Sequence, residues 1–129
     1  MPLIKPEMVR SWYADTAITA NKVVCSSATN AHAVRLPAAT TNLTAIGITT
    51  QAADSNQWIT VAHGGNAQAT AGGTIAVGDL LGFDTSGQVV AITPSGSGTT
   101  LRGTIGTAQS AGASGELVDV FINPGYCQV

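Results

Sequence analysis

The sequence predicts an all-β domain, and three observations support this prediction. Short runs of β-branched residues alternate with clusters of Gly, Asn, Asp, Ser and Pro at fairly even spacing, which is typical of a barrel or a sandwich. No stretch keeps a 3.6-residue apolar period for three turns. Aromatic residues are only 5% of the 129 residues, so Ala, Val, Ile and Leu must form the core. This length favours a single domain.

The N-terminal segment differs from the rest of the chain. Pro2 and Pro6 each lack a backbone N–H and fix φ near −65°, which disfavours regular structure around them. Residues 1–16 are therefore predicted to form an extended arm. The β pattern begins after this segment, so residues 17–129 are predicted to form the β domain.

Two large aromatic residues, Trp12 and Tyr13, lie outside the predicted β body. Aromatic side chains are enriched among the anchors of protein interfaces. The arm is therefore predicted to bind a neighbouring surface through these two residues and through Met8, Val9 and Arg10 beside them. An alternative stays open, in which the two aromatic residues fold back and plug one end of the core.

Short strands are predicted from the β-branched runs and the turn residues between them. They cover residues 18–25, 33–36, 43–49, 57–63, 67–69, 80–83, 89–92, 101–108 and 117–122. Alternation places Ile46 and Ile48 on one face of their strand. In the last strand, Leu117 and Phe121 face away from the valines. Apolar residues on both faces indicate a central strand or one that a partner covers.

The clearest predicted turn is Asp84-Thr85-Ser86-Gly87, between two of these strands. It is typical of a β-hairpin in which the glycine takes a positive φ. Glycine-rich loops are predicted at residues 94–98 and 111–115.

Charged residues are scarce, and this limits the classes of partner that the chain is expected to bind. They make up 9% of the chain, against about 25% in typical soluble domains, and the net charge is −2. Five scattered basic residues do not form the basic stripe that nucleic-acid binding needs. No apolar run approaches the roughly 18 residues of a membrane helix. A chain with so few charges is predicted to cover part of its surface with neighbours in an assembly.

The sequence predicts no catalytic residue, no metal site and no cofactor. His32 and His63 have no close ligand partner in the sequence, and Cys25 and Cys127 are most simply two small apolar residues of a reduced protein. Trp58 stands beside Ile59 in a predicted strand, so core packing is the default expectation for it.

Several motifs in a fixed order form a recognisable pattern. They are AITA at 17–20, IGIT at 46–49, WITVAHGG at 58–65, IAVGDLL at 75–81, DTSGQV at 84–89, GTIGTA at 103–108 and SGELVDV at 114–120. This order resembles the small capsid decoration, or cement, proteins of tailed bacteriophages. The resemblance covers residues 17–122 and includes neither the N-terminal arm nor the C-terminal tail.

The resemblance implies a compact β-barrel or β-tulip domain without a cofactor. It implies a virion protein, assembled in the host cytoplasm, that binds the major capsid protein on the outer capsid surface, often as a trimer, and stabilises the head. Two other functions remain open from the residues. One is a saccharide-binding β module, which needs aromatic side chains converging on one face with polar partners. The other is a different virion component, such as a head fibre base or a tail protein.

Overall fold

The computed structural model describes residues 6–39 and 44–129, and this part of the chain contains strands, turns and loops but no helix. No segment within these ranges forms a helix that could cross a membrane. The all-β prediction is confirmed. The strands found there are β1 (Pro6–Ala14), β2 (Val23–Ser26), β3 (Ala33–Arg35), β4 (Ala45–Thr49), β5 (Trp58–Thr70), β6 (Leu80–Phe83), β7 (Val89–Ala91), β8 (Leu101–Ala108) and β9 (Leu117–Gln128).

Five of these strands close into a small barrel. Their order around the ring is β1, β3, β2, β4 and β5, and β5 pairs again with β1. Strand β1 runs antiparallel to β5 and parallel to β3, so it is the strand that closes the barrel. The contact with β3 is made by Tyr13 and Ala14, and it removes the sheet edge at that end of β1.

The long strand β5 connects the barrel to a second group of strands. Its first half pairs with β1 and β4, and its second half pairs with β9. The change of partner occurs at Gly65, which has a φ of 71° and pairs with both Pro6 and Ile122. A glycine tolerates this φ without steric cost. Beyond β9 the sheet continues through β8, β6 and β7.

The buried apolar residues of the described part form two clusters. The first fills the barrel and comprises Ala14, Ile18, Val24, Val34, Ile59 and Val61. The second lies between the barrel wall and the β9-β8-β6-β7 group, and Phe83 is its largest member. The barrel strands therefore bury side chains on both faces, as Val23 and Val24 illustrate by belonging to different clusters.

A bulge in β4 changes which residues share a face. Val24 pairs with Gly47, but Cys25 pairs with Ala45, so Ile46 is the extra residue. A bulge breaks the two-residue alternation of a strand. Ile46 consequently packs on the barrel cluster, whereas Ile48 belongs to the second cluster. The prediction that these two isoleucines share a face was wrong for this reason.

The hairpin between β6 and β7 has the predicted turn. Gly87 takes a φ of 78°, and its N–H donates to the carbonyl oxygen of Asp84. The Asp84 carboxylate accepts the N–H groups of Ser86 and Gln88, each at 2.9 Å. The aspartate side chain therefore holds the turn, as Asp residues commonly do.

The N-terminal segment differs most from the sequence prediction. Residues 6–14 are extended, but they form β1, which is one strand of the barrel wall. They are therefore part of the β domain, which was predicted to begin only at residue 17. Pairing with β5 and β3 supplies the backbone partners that a free arm would lack. The first five residues of the predicted arm and residue 43 of a predicted strand lie outside the described residues.

Several other strand predictions had inaccurate bounds. The segment predicted at 18–25 is a strand only from Val23, because Ile18 makes a single bridge to Ala53. The strands predicted at 57–63 and 67–69 are one continuous strand, β5. Strand β9 continues past residue 122 because the tail residues pair with the first half of β8.

Candidate functional site

Four of the five residues predicted from the sequence to bind a neighbour, Val9, Arg10, Trp12 and Tyr13, lie on two opposite faces of β1. Trp12 pairs with Ile59 and Arg10 pairs with Val61 across the strands. Ile59 and Val61 are fully buried in the barrel cluster. Paired residues share a face, so Trp12 and Arg10 lie on the inward face of β1.

The other face of β1 is directed outward. Val9 and Tyr13 lie on it, and they are 44% and 40% exposed. Tyr13 pairs with Trp58, which stands on the same outer face. The backbone of Met8 pairs with Gly64, but its side chain lies outside the described part of the chain.

Trp12 packs inside its own barrel, close to His63. Its Nε1–H donates to Nε2 of His63 at 2.9 Å, and the two rings stack with centroids 5.6 Å apart. The guanidinium carbon of Arg10 lies 5.4 Å from the centre of the Trp12 ring, within the range of a cation–π contact. Trp12 therefore packs against the core of its own domain, as the alternative expected for both aromatic residues, whereas Tyr13 does not.

The hydrogen bond from Trp12 defines the state of His63. Nε2 can accept it only when it carries no proton, so His63 is neutral with its proton on Nδ1. Burial lowers the pKa of His63, and the nearby positive charge of Arg10 lowers this pKa further. Protonation of Nε2 would remove the acceptor and place a second cation beside Arg10.

This geometry predicts a pH dependence of stability. The unfolded chain binds a proton at His63 near pH 6.5, before the folded protein does. The free energy of unfolding should therefore be highest above pH 6.5 and should fall as the pH drops from 6.5 through the lower folded pKa. Urea unfolding between pH 7.5 and 4.5 measures this slope.

Two variants test whether His63 causes this change of the free energy of unfolding with pH. His63→Gln keeps a side-chain acceptor for Trp12 but cannot titrate, so its slope should be reduced. His32→Asn is the control, because His32 is exposed in a turn with φ 56°, which asparagine tolerates. An unchanged slope in His63→Gln would contradict the proposed role of His63.

Tyr13 and Trp58 form an aromatic stack on the outside of the barrel. Their ring centroids are 4.0 Å apart and their planes differ by 26°. Trp58 is 54% exposed, so the expectation that it packs in the core was wrong. Its neighbour Ile59 is buried, and alternation along a strand directs adjacent side chains to opposite faces. That alternation was the signal in the sequence that Trp58 faces outward.

A groove of about 240 Å³ lies beside this stack. Its wall consists of Tyr13, Asp15, Asn30, Ala31, Ala33 and Asn56. Backbone hydrogen bonds hold the groove in place, because the N–H of Tyr13 donates to His32 and the N–H of Asn56 donates to Ala14. The groove therefore lies between two turns that are fixed to the end of β1.

Asp15 is the charged residue of this groove, and its carboxylate is held from two sides. Ser27 Oγ donates to one oxygen, and Asn30 Nδ2 donates to the other at 2.7 Å. The Ser27 hydrogen bond, followed by that from Asn30, lowers the pKa of Asp15 below its ordinary value. Asp15 is therefore ionised at neutral pH, with both oxygens oriented.

The cysteines and the metal-ligating residue types form no comparable site. Both cysteines are free, and burial raises the pKa of the Cys25 thiol to about 11. Cys25 is thus a protonated, buried side chain at neutral pH. Within residues 6–39 and 44–129, no group of three His, Cys, Asp or Glu side chains is placed to hold a metal ion.

Strand β9 exposes a second set of apolar side chains. Leu117 and Phe121 are 47% and 46% exposed, on the face opposite the buried Val118 and Val120. Strand β9 pairs with β5 from Leu117 to Ile122, and it also pairs with β8 from Val120 onward. The exposed face of Leu117 and Phe121 is called the β9 face below.

The comparisons with known proteins show similarity at the level of the fold. No family model matches the sequence, and no curated protein matches it. A solved structure, the N base of head fiber gp8.5 in bacteriophage phi29, superposes with a TM-score of 0.67 at 20% sequence identity. The match covers 90% of this chain and 93% of that one, so the two share a small all-β barrel fold along nearly their whole lengths.

Proposed function

We propose that this chain is a structural protein of a bacteriophage head that binds the outer surface of the capsid and stabilises it. The observation that carries the proposal is the likeness to the phi29 head fiber base, which covers nearly all of both chains. A likeness of this extent relates the whole domain, including the β9-β8-β6-β7 group, to a domain of a phage head. The sequence resemblance to cement proteins supports the same class of function.

The surface composition fits a role in an assembly. Charged residues are 9% of the chain, and Val9, Trp58, Leu117 and Phe121 are each more than 40% exposed. Exposed apolar side chains offer contact area to a partner. A repeating shell also multiplies weak contacts, because neighbouring copies bind at high effective concentration.

We assign the capsid contact to the N-terminal end of β1. Val9 is exposed on the outer face there, and Arg10 is exposed at the end of the barrel. Met8 precedes them in the strand. Trp12 supports this end from inside the barrel through its contacts with His63 and Arg10, so we propose a positioning role for it instead of direct contact. Tyr13 lies at the other end of β1 and is not part of this assignment.

We assign contacts between copies of the chain to the β9 face. Leu117 and Phe121 offer apolar area, and the Asp119 backbone between them is fixed by a hydrogen bond from its N–H to Ser110 Oγ. Closed symmetric oligomers are the usual form of soluble homo-oligomers, and a trimer, in which the β9 face would contact a different surface of the next copy, is the form proposed from the sequence. The major capsid protein is the proposed partner of the trimer.

A binding experiment tests the capsid contact. Val9→Asp should weaken co-sedimentation with bare capsids by at least about tenfold, because it places a charge in the apolar part of the contact. Val77→Asp is the matched control, since Val77 is a 67% exposed valine far from β1 in the sequence. Equal binding by the parent chain and Val9→Asp would contradict this assignment. Failure of the parent chain to bind any bare capsid would contradict the proposed function itself.

A further inference from the structure

We propose that the Tyr13–Trp58 stack and the adjoining groove form a binding site for a neutral sugar ring. The site would take one pyranose, such as the end of a cell-surface glycan. It lies at the opposite end of β1 from the proposed capsid contact. The inference does not depend on the capsid role, since it uses only the geometry of this chain.

The rings of Tyr13 and Trp58 cover each other on their facing sides, and the two side chains remain 40% and 54% exposed, so a sugar would pack on an outer face of the stack. One face of a pyranose presents C–H groups, and these pack against the face of an aromatic ring while the hydroxyl groups stay at the rim. Tyr13 and Trp58 are directly paired on adjacent strands, with planes within 26° of each other. They are therefore held by the barrel backbone before any ligand binds. A site on paired strands loses little conformational freedom when it binds.

The polar groups of the groove complement sugar hydroxyls. Asp15, Asn30 and Asn56 line it next to Tyr13. A carboxylate accepts hydrogen bonds, and an amide can both donate and accept. The Asp15 oxygens are already oriented by Ser27 and Asn30, so this side of the groove is ordered as well. An aromatic wall with a few convergent polar groups is the usual composition of a small-ligand site.

The size of the groove limits the ligand. Its volume of about 240 Å³ is below the roughly 300–1,000 Å³ of pockets for drug-sized ligands. One sugar ring fits this space better than an oligosaccharide lying within it. Asp15 is the single charged residue of the groove wall, and both of its oxygens already accept hydrogen bonds, which favours a neutral sugar over an anionic one.

A concave polar groove beside the rings distinguishes this site from a protein contact. Interface anchors are enriched in Trp and Tyr, so the stack alone would suit a protein partner equally well. The groove adds two exposed amides and a carboxylate within the same surface. A protein interface buries few such groups at its centre. The site therefore fits a sugar better than a protein partner, and the test below distinguishes the two.

The test is a titration of the isotope-labelled full chain, followed by amide NMR. The probes are glucose, galactose and N-acetylglucosamine at millimolar concentrations, with sorbitol as a polyol that has no ring. At least one of the three sugars should shift the signals of Tyr13, Asn56 and Trp58, and sorbitol should not. Absence of any shift with all three sugars overturns the proposal.

Variants of the site separate its components. Trp58→Ala should weaken sugar binding by at least about tenfold. Asn56→Gly removes the amide without strain, because Asn56 has a φ of 63°, and it should also weaken binding. Tyr126→Ala is the control, since Tyr126 is a 65% exposed tyrosine on β9. Folding of each variant is confirmed from its amide spectrum.

Two further outcomes also decide against the proposal. Sugar binding that both Trp58→Ala and Asn56→Gly retain at parental strength would place the ligand elsewhere. If the parent chain binds no sugar and Trp58→Ala loses capsid binding, the stack is a protein contact. Capsid binding that survives in Trp58→Ala while sugar binding is lost would support two separate surfaces.

Discussion

Replacement of Gly47 by alanine is expected to destroy the stable fold or to lower the free energy of unfolding by more than about 3 kcal/mol. A Cβ at this position would lie 1.9 Å from the carbonyl oxygen of Ala62 and 3.1 Å from a methyl carbon of Val61. The neighbouring pairing of Ile48 with Ala62 prevents β5 from moving away. Overpacking costs about 1–3 kcal/mol when side chains can adjust, and here the obstacle is backbone.

Gly73→Ala is the matched control for this effect. A Cβ there would meet nothing within 4 Å, and Gly73 is not among the glycines with a positive φ. Its urea midpoint should remain within experimental error of the parent chain. A total stability of about 5–15 kcal/mol makes the expected loss in Gly47→Ala easy to measure. A loss below about 1 kcal/mol in Gly47→Ala would contradict the close packing of β4 on β5.

Removal of residues 1–14 is expected to abolish cooperative folding. The shortened chain would lose β1, and with it the pairings to both β3 and β5 that close the barrel. The inner side chains of those strands, Val34, Ile59 and Val61, would then be exposed to water. Near-ultraviolet circular dichroism and urea unfolding report the loss of tertiary structure and of the cooperative transition.

A peptide of residues 6–14 provides the complementary measurement. When it is added to the shortened chain, it should restore the amide spectrum of the parent, because β1 contributes a complete strand. A shortened chain that keeps the cooperative transition of the parent would instead show that this segment is a dispensable arm. Such a result would support the arm predicted from the sequence.

Local features made part of the fold predictable. Strands β6 and β8 have the predicted bounds, and the turn that follows β6 has its glycine at a positive φ. The signals for these elements, the alternation of apolar and polar residues and the turn residues, lie within a few positions of each other along the chain. Barrel closure was not predictable in this way, because β1 and β5 meet across about 50 residues of sequence. The composition of β1, with Pro6 and two adjacent aromatic residues, resembled that of an arm.

The candidate sites were predictable to a similar extent. The sequence predicted that Trp12 and Tyr13 act together at one contact. Adjacent residues of a strand face opposite ways, so Trp12 lies inside the barrel and Tyr13 lies outside it. Their partners, His63 and Trp58, are 51 and 45 positions away and could be assigned only from the pairing register of β1 and β5. The bulge at Ile46 likewise arises from pairing and not from a local motif.

The central proposal is that this domain is a structural component of a phage head. Electron cryomicroscopy of the phage particles, produced with and without the gene for this chain, tests it most directly. In particles made with the gene, we expect additional density on the outer capsid surface that fits this barrel, with the Val9 end of β1 against the capsid. In particles made without the gene, we expect heads that rupture at a lower temperature. Identical head density in both preparations, or barrel density on the tail alone, would contradict it.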